Sequence, residues 1–221
     1  LLTFNEVTTL FHEFGHALHG MLANTTYPNL SGTSVYWDFV ELPSQILANW
    51  CYEKVALTLF ARHYDNKEML PMELVKKIKD SSNFLEGMAT LRQLSFGMLD
   101  MSYHAHDPSG INNIKEFEKE AFGATQLYPD VEENCMSTAF SHIFQGGYSA
   151  GYYSYKWAEV LDADAFEAFK EAGIFNKEVA KKFKDNILSK GGTEKPMVLY
   201  KRFRGKEPTV DALLKRAGLL Q

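Results

Sequence analysis

Phe11-His12-Glu13-Phe14-Gly15-His16-Ala17-Leu18-His19 is the stretch whose reading decides this chain. It lies inside Asn5 to Leu22, a run of good helix formers with apolar residues at helical spacing, so a helix is predicted there, capped at Asn5 and ending near Asn24. On such a helix His12 and His16 are offset by about 40° around the axis and about 6 Å along it, and both imidazoles can reach one ion. Glu13 lies about 60° from His16 and about 100° from His12, so its carboxylate flanks the pair and suits a water beside the ion better than the ion itself. This is the HExxH arrangement, in which two neutral imidazoles hold Zn²⁺ and a non-ligating carboxylate takes a proton from the water at the open position.

Two imidazoles fall short of the three protein ligands that a catalytic zinc normally has. The extended form of the motif requires glycine at 19 and histidine at 22, where this chain has His19 and Leu22. His19 shares the helical face, but about 10 Å of rise from His12 removes it from a common ion, and it reads as a supporting or structural side chain. Among the downstream acids Glu41 stands out, in Asp38-Phe39-Val40-Glu41-Leu42-Pro43-Ser44, near the start of a predicted long buried helix from Asp38 to His63 that Pro43 can shift or kink. Spacing alone leaves two readings for Glu41: the third ligand, or the partner of Asp38 in an amino-terminal capping pair.

A second unusual stretch is Gly146-Gly147-Tyr148-Ser149-Ala150-Gly151-Tyr152-Tyr153-Ser154-Tyr155. If Tyr148 to Leu161 is one helix, Tyr148, Tyr152 and Tyr155 share a face and Tyr153 points elsewhere. Such a row is either a set of donors for a developing oxyanion or a buried aromatic stripe whose hydroxyls reach the surface. His142, just before the glycines, is either a donor to substrate or a structural histidine. Met69, Met72, Met88, Met98 and Met101 read as core filler.

The remaining patterned segments also read as helix, at Pro71–Phe84, Glu86–Ala105, Ile114–Gly123, Ser137–Phe144, Ala165–Ala172, Lys177–Ser189, Pro196–Phe203 and Val210–Ala217. The expected fold class is all-α, with at most one short extended piece at Thr33–Trp37. At 221 residues the chain supports one large domain or two small ones. With 23 basic and 28 acidic residues and a charge of −5, no phosphate-tracking surface is indicated, so a nucleic-acid partner is not expected. The longest apolar run, Val55 to Ala61, is far too short to cross a bilayer, and no membrane role is expected. Two cysteines far apart in sequence, Cys51 and Cys135, fit free thiols in a reducing compartment, and a cytoplasmic location is expected. A start at Leu1, close to a strongly patterned helix, is read as the carboxy-terminal portion of a longer protein.

Together these motifs resemble the thimet-oligopeptidase-like zinc peptidases, a family that includes neurolysin, oligopeptidase A and peptidyl-dipeptidase. The likeness is carried by Phe11 to His19, by Ser31-Gly32-Thr33 with Asp38 to Gln45, and by Phe140-Ser141-His142-Ile143-Phe144-Gln145-Gly146-Gly147-Tyr148 through Tyr153. The resemblance implies that His12, His16 and Glu41 bind one zinc ion and that Glu13 is the general base. It also implies that Tyr148, Tyr152, Tyr155 and His142 contact substrate or the oxyanion, Tyr155 above all. Family members are mostly helical two-lobed enzymes with a channel for short unstructured peptides. On that likeness residues 1–221 form the carboxy-terminal catalytic domain, whose partners are peptide substrates and the amino-terminal half of the same enzyme. The tail from Ala165 to Gly205, with Lys201-Arg202-Phe203-Arg204-Gly205, is most similar to the oligopeptidase A branch and implies internal cleavage. The alternatives are a peptidyl-dipeptidase, which needs a group for the substrate carboxylate, and a helical module that retains zinc and binds peptides without hydrolysis. An intact Glu13 argues against the last.

Overall fold

The computed structural model of the chain describes residues 1–220, as a set of helices with no strand among the described residues and a single β-bridge, Arg62 to Met69. The all-α expectation holds. The chain divides into two compact units, residues 1–84 with 158–221, and residues 85–157.

In the first unit, α1 runs Phe4–Met21. Its cap is Thr3, not Asn5: the Glu6 N–H donates to Thr3 Oγ1 at 3.3 Å, and the Thr3 N–H donates back to Glu6 Oε2 at 2.6 Å. A threonine with an acid three residues on satisfies two orphan amides, which a cap at Asn5 does not do. The predicted long helix from Asp38 to His63 is broken into α2 (Trp37–Val40), α3 (Leu42–Ala48), a 3₁₀ turn at Asn49–Tyr52 and α4 (Lys54–Phe60). Pro43 has no N–H to continue the ladder and its ring crowds the preceding turn, so a new helix begins with proline in its first turn. Thr33–Trp37 is a turn and not an extended piece: Ser34 N–H donates to the Ser31 carbonyl and Trp37 already opens α2. α5 follows at Met72–Ser82.

The second stretch of this unit supplies most of its core. Ala158, Leu161, Phe166, Phe169, Phe183, Ile187, Leu199, Tyr200 and Phe203 are buried, as are Phe39, Leu42, Ile46 and Leu57 from the first stretch. Trp50 packs edge-on to Phe166 at 4.8 Å and Phe169 at 5.0 Å. Polar ties join the same stretches: Asn49 donates to the buried Asp162 at 2.7 Å, Asp162 pairs with Arg216, and the Gly192 N–H donates to the Leu30 carbonyl at 2.8 Å.

The second unit is built on α6 (Glu86–His104), α7 (Ile114–Phe122), α8 (Met136–Ala139) and α9 (Ser141–Phe144). Leu99, Phe140 and Ile143 are its buried centre, with Phe96, Tyr103, Phe117 and Tyr152 packed around them. The buried Glu118 accepts from the Ser137 N–H at 2.6 Å and so caps α8 from a distance in sequence. The methionines depart from expectation: Met69, Met72, Met88, Met98 and Met101 are all exposed, so they fill no core. The next helix, α10, runs Ser154–Ala172 and starts six residues later than the tyrosine pattern predicts. Residues 145–153 form turns and bends in which Gly147 (φ 85°) and Ala150 (φ 54°) are left-handed, and that backbone cannot be α-helical. α11 (Lys177–Phe183) continues into a π-type turn at Lys184–Leu188, and α12 (Pro196–Arg204) ends on a left-handed Gly205 before α13 (Asp211–Arg216).

Candidate metal centre

The close packing of α1 on α3 builds the site. At Gly15 a Cβ atom would stand 2.3 Å from the Pro43 carbonyl oxygen and 2.5 Å from Ser44 Cα, so only glycine lets the two backbones meet there. That contact sets the start of α3 against the histidine face of α1. Glu41, the residue joining α2 to α3, is 5% exposed and turned onto that face.

Its Oε2 lies 3.2 Å from His12 Nε2 and 3.2 Å from His16 Nε2. Candidate ligand atoms of all three residues lie within 4.8 Å of one another, and the two imidazoles meet edge to face at 5.1 Å. Tetrahedral ligands about 2.0–2.1 Å from a zinc ion stand about 3.3 Å apart, and both Glu41–imidazole distances match that spacing. Ser44 Oγ donates to both the Glu41 carboxylate and the Glu41 carbonyl, each at 2.8 Å, which orients the carboxylate. With its side chain directed to the two imidazoles and Ser44, Glu41 is not committed to a capping pair with Asp38.

Electrostatics agree with this geometry. Burial works against the charge on Glu41, but the hydrogen bonds from His12, His16 and Ser44 outweigh it and hold the carboxyl well below the usual range. The Glu41 hydrogen bond raises His16, against burial, with smaller help from the charges of Glu41 and Glu13. Glu13 itself is exposed on the flank of α1, as the helical angles require. His19 is fully buried, stands outside the cluster, and has no hydrogen-bond partner for either ring nitrogen among the described residues. Burial, with a contribution from His16, pushes it down to about 4.

In the second unit the phenols gather even though the predicted helix is absent. Tyr148 stacks on Tyr155 at 5.1 Å, and Tyr152 meets Tyr155 edge-on at 5.3 Å. His142 lies against Tyr148 at 5.9 Å and Tyr152 at 6.1 Å, while Tyr153 is 46% exposed. Tyr152 donates its hydroxyl to Gln93 Oε1 at 3.3 Å, and burial pushes its phenol upward. Two participants are not evident from sequence. Ser44 is visible there only as part of the motif around Glu41, and Asp100 is a lone acid among Met98, Leu99 and Met101 with His104 one turn on.

The family described as "Peptidase family M3" matches residues 1–219. The chain belongs to peptidase family M3. Oligopeptidase A of Escherichia coli K12 is 50% identical to it over 221 residues, 99% of this chain and 32% of that protein. Oligopeptidase A of Haemophilus influenzae is 48% identical, over 100% of this chain and 33% of its own length. Dipeptidyl carboxypeptidase of Salmonella typhimurium is 40% identical, over 99% and 32%. The resemblance read from the motifs is thereby borne out, and this M3 chain spans about a third of the length of the curated relatives it matches. Among the described residues no helix is long and apolar enough to cross a membrane.

Proposed function

We propose that residues 1–221 are the carboxy-terminal catalytic part of a zinc-dependent oligopeptidase that hydrolyses short unstructured peptides internally, in the manner of oligopeptidase A. One observation carries this reading: Glu41 meets His12 and His16 at tetrahedral spacing beside an exposed Glu13. His12, His16 and Glu41 would hold a zinc ion, which would supply Lewis acidity to the scissile carbonyl and make a nearby water more acidic. The chain's own groups do the rest. Glu13 accepts the proton of the attacking water and delivers it to the leaving amine. Ser44 Oγ donates to the Glu41 carboxylate and keeps it aimed. From the family likeness, Tyr155 donates to the oxyanion, assisted by Tyr148 and His142, and Tyr152 contacts substrate.

Internal cleavage is preferred because identity to oligopeptidase A is 50% against 40% to dipeptidyl carboxypeptidase. The other part of the channel belongs to an amino-terminal half, the proposed partner, and the buried Cys51 and part-buried Cys135, both free thiols, fit a cytoplasmic setting. In the full-length enzyme Glu13→Gln should lower kcat by about 10²–10⁴-fold with zinc still bound stoichiometrically. Turnover near the wild-type rate refutes the assignment of the base. Release of internal fragments from a peptide blocked at both ends supports the endopeptidase. Cleavage confined to carboxy-terminal dipeptides of unblocked peptides assigns the chain to the dipeptidyl class.

A further inference from the structure

Asp100 is a fully buried carboxylate that the chemistry above does not use. It lies on α6 and reaches a turn fifty residues away: the Ala150 N–H donates to Oδ1 at 2.9 Å and the Tyr152 N–H to Oδ2 at 2.8 Å. His104, one turn on along α6, places Nδ1 2.8 Å from the same Oδ1 and 3.0 Å from the Asp100 carbonyl, so this nitrogen faces two acceptors and carries the proton. Three donors converge on two oxygens, an arrangement that suits a carboxylate. An amide there would turn an N–H against an N–H.

The turn so gripped is the one that gathers the phenols. Alternate amides of a turn with a left-handed residue form an anion-binding concavity, and here the anion is the protein's own side chain. Ala150 lacks glycine's freedom at φ 54°, and the charged acceptor on its N–H offsets the cost of that conformation. Tyr152, the second residue held, packs on Phe140 at 5.0 Å and on Tyr155 at 5.3 Å, and Tyr155 in turn carries Tyr148.

We infer that Asp100, oriented by His104, is a positioning residue for the peptidase reaction: it clamps the 150–152 turn and thereby sets the Tyr148, Tyr152 and Tyr155 cluster. This rests on the reading in which those phenols serve the reaction, and the test separates the two. In the full-length enzyme, Asp100→Asn, His104→Leu, His104→Asn and Tyr155→Phe are compared by kcat and KM on a quenched peptide, zinc content, and amide hydrogen exchange at Ala150 and Tyr152. Asp100→Asn should speed exchange at both amides and lower kcat, each by roughly tenfold or more, with zinc content unchanged. His104→Leu should show the same pattern more weakly, and His104→Asn, which keeps an N–H where Nδ1 stood, should return kcat to within about threefold of wild type. Unchanged exchange at Ala150 and Tyr152 in Asp100→Asn overturns the clamp. Faster exchange with undiminished kcat overturns the positioning role where Tyr155→Phe is impaired, and overturns the catalytic reading of the phenols along with it where Tyr155→Phe is fully active. If Asp100→Asn does not fold, His104→Leu decides on the same readouts, and wild-type exchange and kcat in that variant overturn the proposal.

Discussion

His19 is a fully buried histidine without a partner for either ring nitrogen among the described residues. Burial first, and His16 second, push its imidazolium down to about 4 from the ordinary histidine value of 6.5. Between those values the unfolded chain takes up a proton that the folded protein refuses, so stability is fully present above about pH 6.5 and is lost as the pH falls towards about 4. The loss amounts to at most ~3 kcal/mol. Urea unfolding of zinc-free protein at pH 7.5 and pH 4.5, compared with His19→Leu, isolates it, because the other titrating groups are common to both chains. The variant should lose less stability on acidification than wild type, and an equal loss would show that His19 is not the group responsible. The opposite sign at His16, raised by Glu41, shows how one turn of helix separates a histidine that gains a carboxylate from one that gains only a dry pocket.

At the scale of elements the site depends on how closely α1 and α3 approach. A methyl group at Gly15 meets backbone atoms of Pro43 and Ser44 well inside contact distance, and backbone cannot swing aside as a side chain can. Gly15→Ala should therefore cost about 1–3 kcal/mol or more and weaken zinc binding by moving Glu41 off the histidines. Gly20 on the same helix has open space where a Cβ would sit, with nothing within 4 Å. Gly20→Ala should leave zinc affinity unchanged and stabilise by up to about 1 kcal/mol. Thermal melts and zinc titrations of the two variants check the contrast, and equal effects would mean that the close approach does not hold the centre together. Element boundaries are the least legible part of the sequence. The periodicity after Asp38 is helical throughout, yet Pro43 divides it, and the tyrosines at helical spacing gather through a left-handed turn rather than a helix.

For the molecule as a whole, the first unit is discontinuous, with all three candidate ligands in residues 1–84 and much of the supporting core in residues 158–220. A fragment of residues 1–84 keeps His12, His16 and Glu41 but loses Phe166, Phe169, Leu199, Tyr200 and Phe203 from its core. It should be largely unfolded by circular dichroism and bind zinc far more weakly than the intact chain. Tight stoichiometric binding by the fragment would show that the local helix pair suffices. In the intact chain, free zinc at about 100 times its Kd should stabilise by about 2.7 kcal/mol, and Glu41→Ala should remove most of that gain. A variant that keeps the full thermal shift would place the third ligand elsewhere.

By itself the sequence determined what depends on neighbours a few residues apart: the existence of the first helix, the pairing of His12 with His16 across one turn, the flanking place of Glu13, and an all-helical class. Each follows from about 3.6 residues per turn and needs no knowledge of the rest of the chain. Tertiary structure alone decided whether Glu41 joins the histidines or caps its own helix, because that choice depends on a close backbone contact at Gly15 that no periodicity encodes. It also decided the grip of Asp100 on a turn fifty residues away, since a buried carboxylate takes whichever donors the packed chain brings to it.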